Sequence, residues 1–222
     1  MAGGWFWSLL GSDGVSQAKV LTNGSVQTGV MPLGYDVQYQ ISTVTGTMAA
    51  ALAANSVVFS MRNATTSTAD QMLHIQRIRL RYTTIVAYTT PITAGRRLEI
   101  IRGSAASAAY TGGTAITNAT KKVTTGIASQ ADAANGGDIR IATTGALTAP
   151  ATITIDNYPF TAITLTHVGT AGASQDLVAE FSGANDQPIE LGAGEFLLIR
   201  NPVAMDAAGT WQLSVEIDFY QM

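Results

Sequence analysis

From residue 36 onward, apolar and polar side chains alternate at every second position, the period of a half-buried β-strand. In "VQYQIST" Val37, Tyr39 and Ile41 fall on one face, and Gln38, Gln40 and Ser42 on the other. The same period runs through "VVFSMR" (57–62), "QRIRLRY" (76–82) continuing into "TTIVAYTT", and "RLEIIR" (97–102). It returns in "DIRIA" (138–142), "TITI" (152–155), "AITLT" (162–166) and "LVAEF" (177–181). "FLLI" (196–199) is apolar on both faces and reads as an interior strand. "WQLSVEIDFY" sets Trp211, Leu213, Val215, Ile217 and Phe219 against Gln212, Ser214, Glu216 and Asp218.

About ten short strands separated by Gly, Pro, Asn and Asp predict an all-β fold, a single jelly-roll-like β-sandwich. No alternation of strand and helix patterns points to a doubly wound fold. "TMAAALAAN" (47–55) suits either two turns of helix or a loop over one end of the sandwich. Two regions depart from the period. Residues 1–35 read as an extended N-terminal arm carrying an aromatic anchor, with 36–222 as the sandwich. Within the sandwich, 103–137 reads as a long loop insertion rich in Gly, Ala, Ser and Thr, a length often associated with contact or binding.

Composition sharpens this picture. The 222 residues contain no cysteine, which excludes a disulfide scaffold, a thiolate metal site and a cysteine nucleophile. Charged residues make up 12%, about half the usual share. That suits a surface largely covered by neighbours, or equally a Thr-rich exterior. Residues 1–102 carry eight Lys/Arg against four Asp/Glu (net +4), and 103–222 carry four against eleven (net −7). Such a split fits a polar partner or, equally, two halves that face each other. No apolar run approaches the ~18 residues of a membrane span, and the N-terminus lacks the basic region of a secretory signal, so no membrane partner is expected.

Arg77, Arg79 and Arg81 share one strand face, with Ile78, Leu80 and Tyr82 on the other. A nucleic-acid platform would interleave exposed aromatics with the cations. Here the interleaved residues are core candidates, and Glu216 and Asp218 stand ready to pair if the two strands share a sheet. No nucleic-acid partner is expected.

Catalytic and metal signatures are sparse. His74 and His167 have no nucleophile elbow near them and read as surface or strand-end residues. The Asp186 and Glu190 of "SGANDQPIE" lack an EF-hand pattern, and no zinc spacing occurs. "TGG" and "NGG" read as turns, not phosphate loops. The expectation is a protein without cofactor, metal or catalytic residues.

"WFWSLL" stands apart. Trp5, Phe6, Trp7, Leu9 and Leu10 lie at a chain end, where residues are loose unless tied down. They need a docking place, either the chain's own core or a partner, and tryptophan is a favoured anchor at interfaces. These five are the candidate interface residues.

The succession "GTMAAALAANSVVFSMRN", "TGGTA…KK", "DIRIATTGALTA" and "GEFLLIRNPVAMDAAGTWQLSVEIDF" resembles a largely uncharacterised family of tailed-bacteriophage virion structural proteins. The likeness spans roughly residues 40–219. It departs at the acidic "EIDFYQM" end and the Trp-rich start. The resemblance implies a non-enzymatic virion component, made in the host cytoplasm, without saying which; the low charge, the Thr/Ala-rich surface and the anchoring arm point to a capsid decoration or cement protein. Its implied partners are the major capsid protein or other virion proteins, and further copies of itself, trimers being common among such sandwiches. The alternative within the class is a tail-tip, fibre or neck component with a lectin-like receptor-binding sandwich.

Overall fold

The computed structural model describes residues 38–66, 71–89, 95–105, 108–121, 128–166, 168–181, 188–205 and 207–221, all within the unit Val37–Met222. Among the described residues thirteen strands follow one another: β1 (Gln38–Val44), β2 (Ser56–Arg62), β3 (Leu73–Val86), β4 (Arg97–Ser104), β5 (Thr114–Ala115), β6 (Thr120–Lys121), β7 (Asp138–Ile141), β8 (Thr154–Ile155), β9 (Thr161–Thr164), β10 (Ser174–Glu180), β11 (Ile189–Leu191), β12 (Glu195–Asn201) and β13 (Thr210–Gln221). Each of the ten strands read from the sequence has its counterpart. The three additions, β5, β6 and β11, are two or three residues long, too short to show a period.

The strands form two antiparallel sheets. The first runs β10-β3-β13-β1-β6, with β11 continuing the edge beside β3. The second runs β5-β7-β2-β12-β4-β8, with β9 also beside β4. The connectivity is that of a long hairpin rolled up: β1 pairs with β13, β2 with β12, β3 with β10 and β4 with β9. The eight strands so paired give β1-β13-β3-β10 facing β2-β12-β4-β9. This order is a jelly roll.

The two sheets bury their residues differently. On β3 and β13 the alternation is clean: Ile78, Leu80, Tyr82, Leu213, Val215 and Ile217 are buried, with Arg79 and Arg81 exposed. A bulge between Asp218 and Phe219 then breaks the period, and Asp218, Phe219 and Tyr220 are all buried. β2 is buried along its whole length. The reason is a second cover on the outer face of its sheet. Tyr110 packs edge-on against Phe196, ring centroids 5.6 Å apart, and Arg62 lies 5.4 Å over the same ring. At Gly103 an added Cβ would stand 3.1 Å from Leu198 and 3.4 Å from Ile153, so the covering loop approaches where a side chain is missing. This explains why "FLLI" is apolar on both faces.

Residues 47–55 form turns, not helix. The Met48 and Ala49 amides donate outward to Trp211 and Thr144, and Ala51 and Asn55 take positive φ. The stretch 103–137, expected as a loop insertion, begins with the end of β4 and supplies one short strand to each sheet. Its fixed point is Asp132, fully buried, whose carboxylate accepts from the amides of Ala119 (2.7 Å) and Ser129 (3.0 Å). The Asp132 carbonyl accepts from Asn135 and Gly137, closing a single 3-10 turn at Ala133–Asn135. Among the described residues no helix is long and apolar enough to cross a membrane.

Candidate interaction surfaces

The arginine stripe lies on the outer face of the first sheet, where β3 sits between β13 and β10. Register places Arg77 opposite Asp218, Arg79 opposite Glu216, and Arg81 opposite Asp176. Arg77 and Asp218 form a close ion pair, Arg79 lies 3.9 Å from Glu216, and Arg81 grips Asp176 through two bonds of 2.6 and 2.9 Å. The hydrogen bond from Arg81 holds the Asp176 carboxyl below the usual carboxylate range. Each guanidinium thus faces a carboxylate, leaving the stripe little net positive charge for a phosphate backbone. A shallow groove of about 390 Å3 crosses this face, lined by Arg79, Arg81, Asp176, Val178, Ser214 and Glu216.

The second sheet uses its charges in the same way. Arg200 bonds Glu99 at 3.1 Å, Arg102 bonds Asp156 at 3.0 Å and lies 3.8 Å from Glu195, and Arg140 bonds Asp138 at 2.9 Å. Burial pushes the Asp138 carboxyl up, an effect that Arg140 and Arg62 oppose.

A recess of about 410 Å3 opens on the flank of the sandwich, lined by Arg102, Phe160, Phe181, Pro188, Ile189 and Glu190. Phe160 is 42% exposed, and Tyr158, in the same loop, is 86% exposed. Near the start of β10, Gln175 ties the two sheets together. Its side-chain carbonyl accepts from the Thr166 amide (2.8 Å), and its amide donates to the Thr164 carbonyl (3.0 Å).

His74 stands at a strand end, one of the two places expected from sequence, and it is not on the surface. It is buried at the start of β3, its ring stacked parallel to Tyr220 at 4.7 Å, with Nδ1 3.5 Å from the Glu190 carboxylate. Among the described residues neither ring nitrogen has a hydrogen-bond partner. Burial pushes its pKa down, and Glu190 acts against that. The sequence could not reveal this because "MLHIQ" does not show that β11 and the end of β13 close over the imidazole.

Trp5, Phe6, Trp7, Leu9 and Leu10 lie outside the described residues, as do His167, Lys122 and Asp186. Glu190 is described and faces His74. Among the described residues no three His, Asp or Glu side chains gather as a metal site would require.

No family model matches the chain, and none of the curated proteins does. Among solved structures, the chain is similar to the VP1 pentamer of human polyomavirus 6, at 12% identity and a TM-score of 0.28, over 86% of this chain and 96% of that one. The jelly-roll assignment rests on the strand order described above.

Proposed function

We propose that the chain is a non-enzymatic virion structural protein of a tailed bacteriophage, a capsid decoration or cement protein that binds the head through its N-terminal arm and sandwich edges. The observation that carries this reading is the jelly-roll strand order, an architecture used by viral capsid and lectin domains. The resemblance of residues 40–219 to virion proteins supports the first of these. The paired charges add support, since Arg77, Arg79, Arg81, Arg102, Arg140 and Arg200 each face a carboxylate on their own sheets. Such a surface favours neutral, hydrogen-bonded contacts with neighbours.

In this reading the protein works by mass action. A protein that binds only the assembled shell stabilises it by the free energy of that binding. Symmetry multiplies individually weak contacts into high avidity. Trp5, Phe6, Trp7, Leu9 and Leu10 are the proposed anchor to the major capsid protein or another virion protein, and the protein acts as a homo-oligomer. It is made in the host cytoplasm and resides in the virion.

The test is binding of purified protein to heads that lack it. Saturable binding that is lost in a Trp5→Ser, Trp7→Ser double variant supports both the location and the anchor. Binding to tails alone overturns the head assignment, and unchanged binding by the double variant overturns the anchor.

The exposed Phe160 beside Arg102 and Glu190, with the exposed Tyr158 two residues before it, favours a second reading, a tail-tip, fibre or neck component whose flank recess binds a receptor. Exposed aromatics next to polar groups suit stacking on a sugar face. Host-cell binding that is lost in Tyr158→Ala and kept in the arm variant would favour it.

A further inference from the structure

We propose that two copies of this chain join edge to edge through β10, antiparallel about a two-fold axis at Leu177, so that the first sheet runs continuously from one copy into the other. The proposal names the contact behind the homo-oligomer in the reading above; it does not need the virion assignment.

β10 is the last strand of its sheet, and no described residue pairs with its outer edge. The direction of its backbone groups follows from the ladder. The Phe181 amide donates to the Gln76 carbonyl (2.7 Å) and the Thr84 amide to the Ala173 carbonyl (2.9 Å), with no register shift between β10 and β3. Hydrogen-bonded positions alternate in an antiparallel pair. Odd-numbered residues therefore bond inward to β3, and the N–H and C=O groups of Ser174, Asp176, Val178 and Glu180 point out of the edge.

Sheet edges are usually guarded by lysine, proline or a bulge. β10 has none of these. Its central acid, Asp176, is drawn back over its own sheet by Arg81. Val178, in the outward-bonding set, is 52% exposed.

Charge selects the register. With Leu177 opposite Leu177 of the second copy, all seven residues overlap: Ser174 faces Glu180, Gln175 faces Ala179, and Asp176 faces Val178. Moving the axis to Asp176 sets that carboxylate against its own copy. Moving it to Val178 sets Asp176 against Glu180 twice. Like charges directly opposite are destabilising. Of these three only the Leu177 register avoids both, and registers centred on Gln175 or Ala179 overlap fewer of the strand's residues. It also brings two half-buried leucines together on the inner face, where each already packs near Leu80, Leu98, Ile163, Leu165 and Leu213.

The absence of cysteine makes the test clean, because one introduced thiol per chain reports one contact. In the proposed register residue 177 faces its copy at a non-hydrogen-bonded position, with Cα atoms about 4.5 Å apart. That separation lies within the range a disulfide spans. Under mild oxidation the full-length Leu177→Cys variant is expected to cross-link into dimers, with Asp176→Cys and Val178→Cys at least about tenfold slower.

In parallel, sedimentation of the unmodified protein should show a concentration-dependent two-fold association. Val178→Pro should abolish this association and leave the circular dichroism spectrum unchanged, because the amide it removes points away from β3. Val178→Lys, which keeps that amide, should act in the same direction. Faster cross-linking at 176 or 178 overturns the register. An unmodified protein that stays monomeric, or a dimer that survives both Val178 variants, overturns the contact. Absence of the protein from particles would overturn the function proposed above and leave this contact standing.

Discussion

Arg79 on β3 and Glu216 on β13 are direct partners across the first sheet, with their charged groups 3.9 Å apart and both side chains close to half exposed. The pair contributes little by itself, about 0–1 kcal/mol, as exposed ion pairs do. Its importance lies in what would replace it. Arg79→Gln should shift the urea midpoint by less than the equivalent of about 1 kcal/mol. Arg79→Glu sets two carboxylates opposite each other and should cost clearly more. Equal tolerance of both variants would show that the cross-strand pairing contributes nothing.

Burial of His74 predicts a pH dependence. Its folded-state pKa lies below the ordinary value of about 6.5, so the unfolded chain takes up a proton while the folded one does not. The stability from neutral His74 is present above that pH and is lost as pH falls through it toward the folded value. Urea melts at pH 5 and pH 7.5 should differ, and His74→Phe, which keeps the ring stacked on Tyr220, should narrow the difference.

Asp132 is the fixed point of the 117–137 segment. Asp132→Ala leaves two buried amides, Ala119 and Ser129, without their acceptor. A loss of about 2–4 kcal/mol is expected from hydrogen bonds of this charged kind. Limited proteolysis should then cut within this segment before the sheets unfold.

Tyr110 and Tyr158 make a contrasting pair. Tyr110 is buried against Phe196, and burial pushes its phenol up to about 12. Tyr110→Ala should cost about 3–5 kcal/mol, as large-to-small changes of buried aromatics do. Tyr158 is 86% exposed, and its replacement by alanine should stay within about 0.5 kcal/mol. Thermal melts of the two variants separate a covering layer from a surface loop.

Much of the fold was legible because a strand with one wet face writes its period into the chain. β3 and β13 do so over 14 and 12 residues, and their opposite charges even announced the pairing. β10 was legible as a strand, but sequence alone does not tell an edge from an interior position. Four features escaped for physical reasons. β5, β6 and β11 are shorter than the period needed to see them. The cover on the second sheet comes from loops, whose contacts follow no period. The burial of His74 depends on β11 and the bulged end of β13, both distant in sequence. The Asp132 hub joins amides through a carboxylate that, in "QADAANGG", looks like any other turn residue.

The measurement that tests the central claim most directly is the number of copies of this protein per major capsid subunit in purified particles, by quantitative mass spectrometry. The account predicts a ratio near one or a simple fraction of it, as expected for a component spread over the shell. A few copies per particle would contradict the decoration role and move the protein to the neck or tail. Complete absence from particles would contradict the virion reading itself.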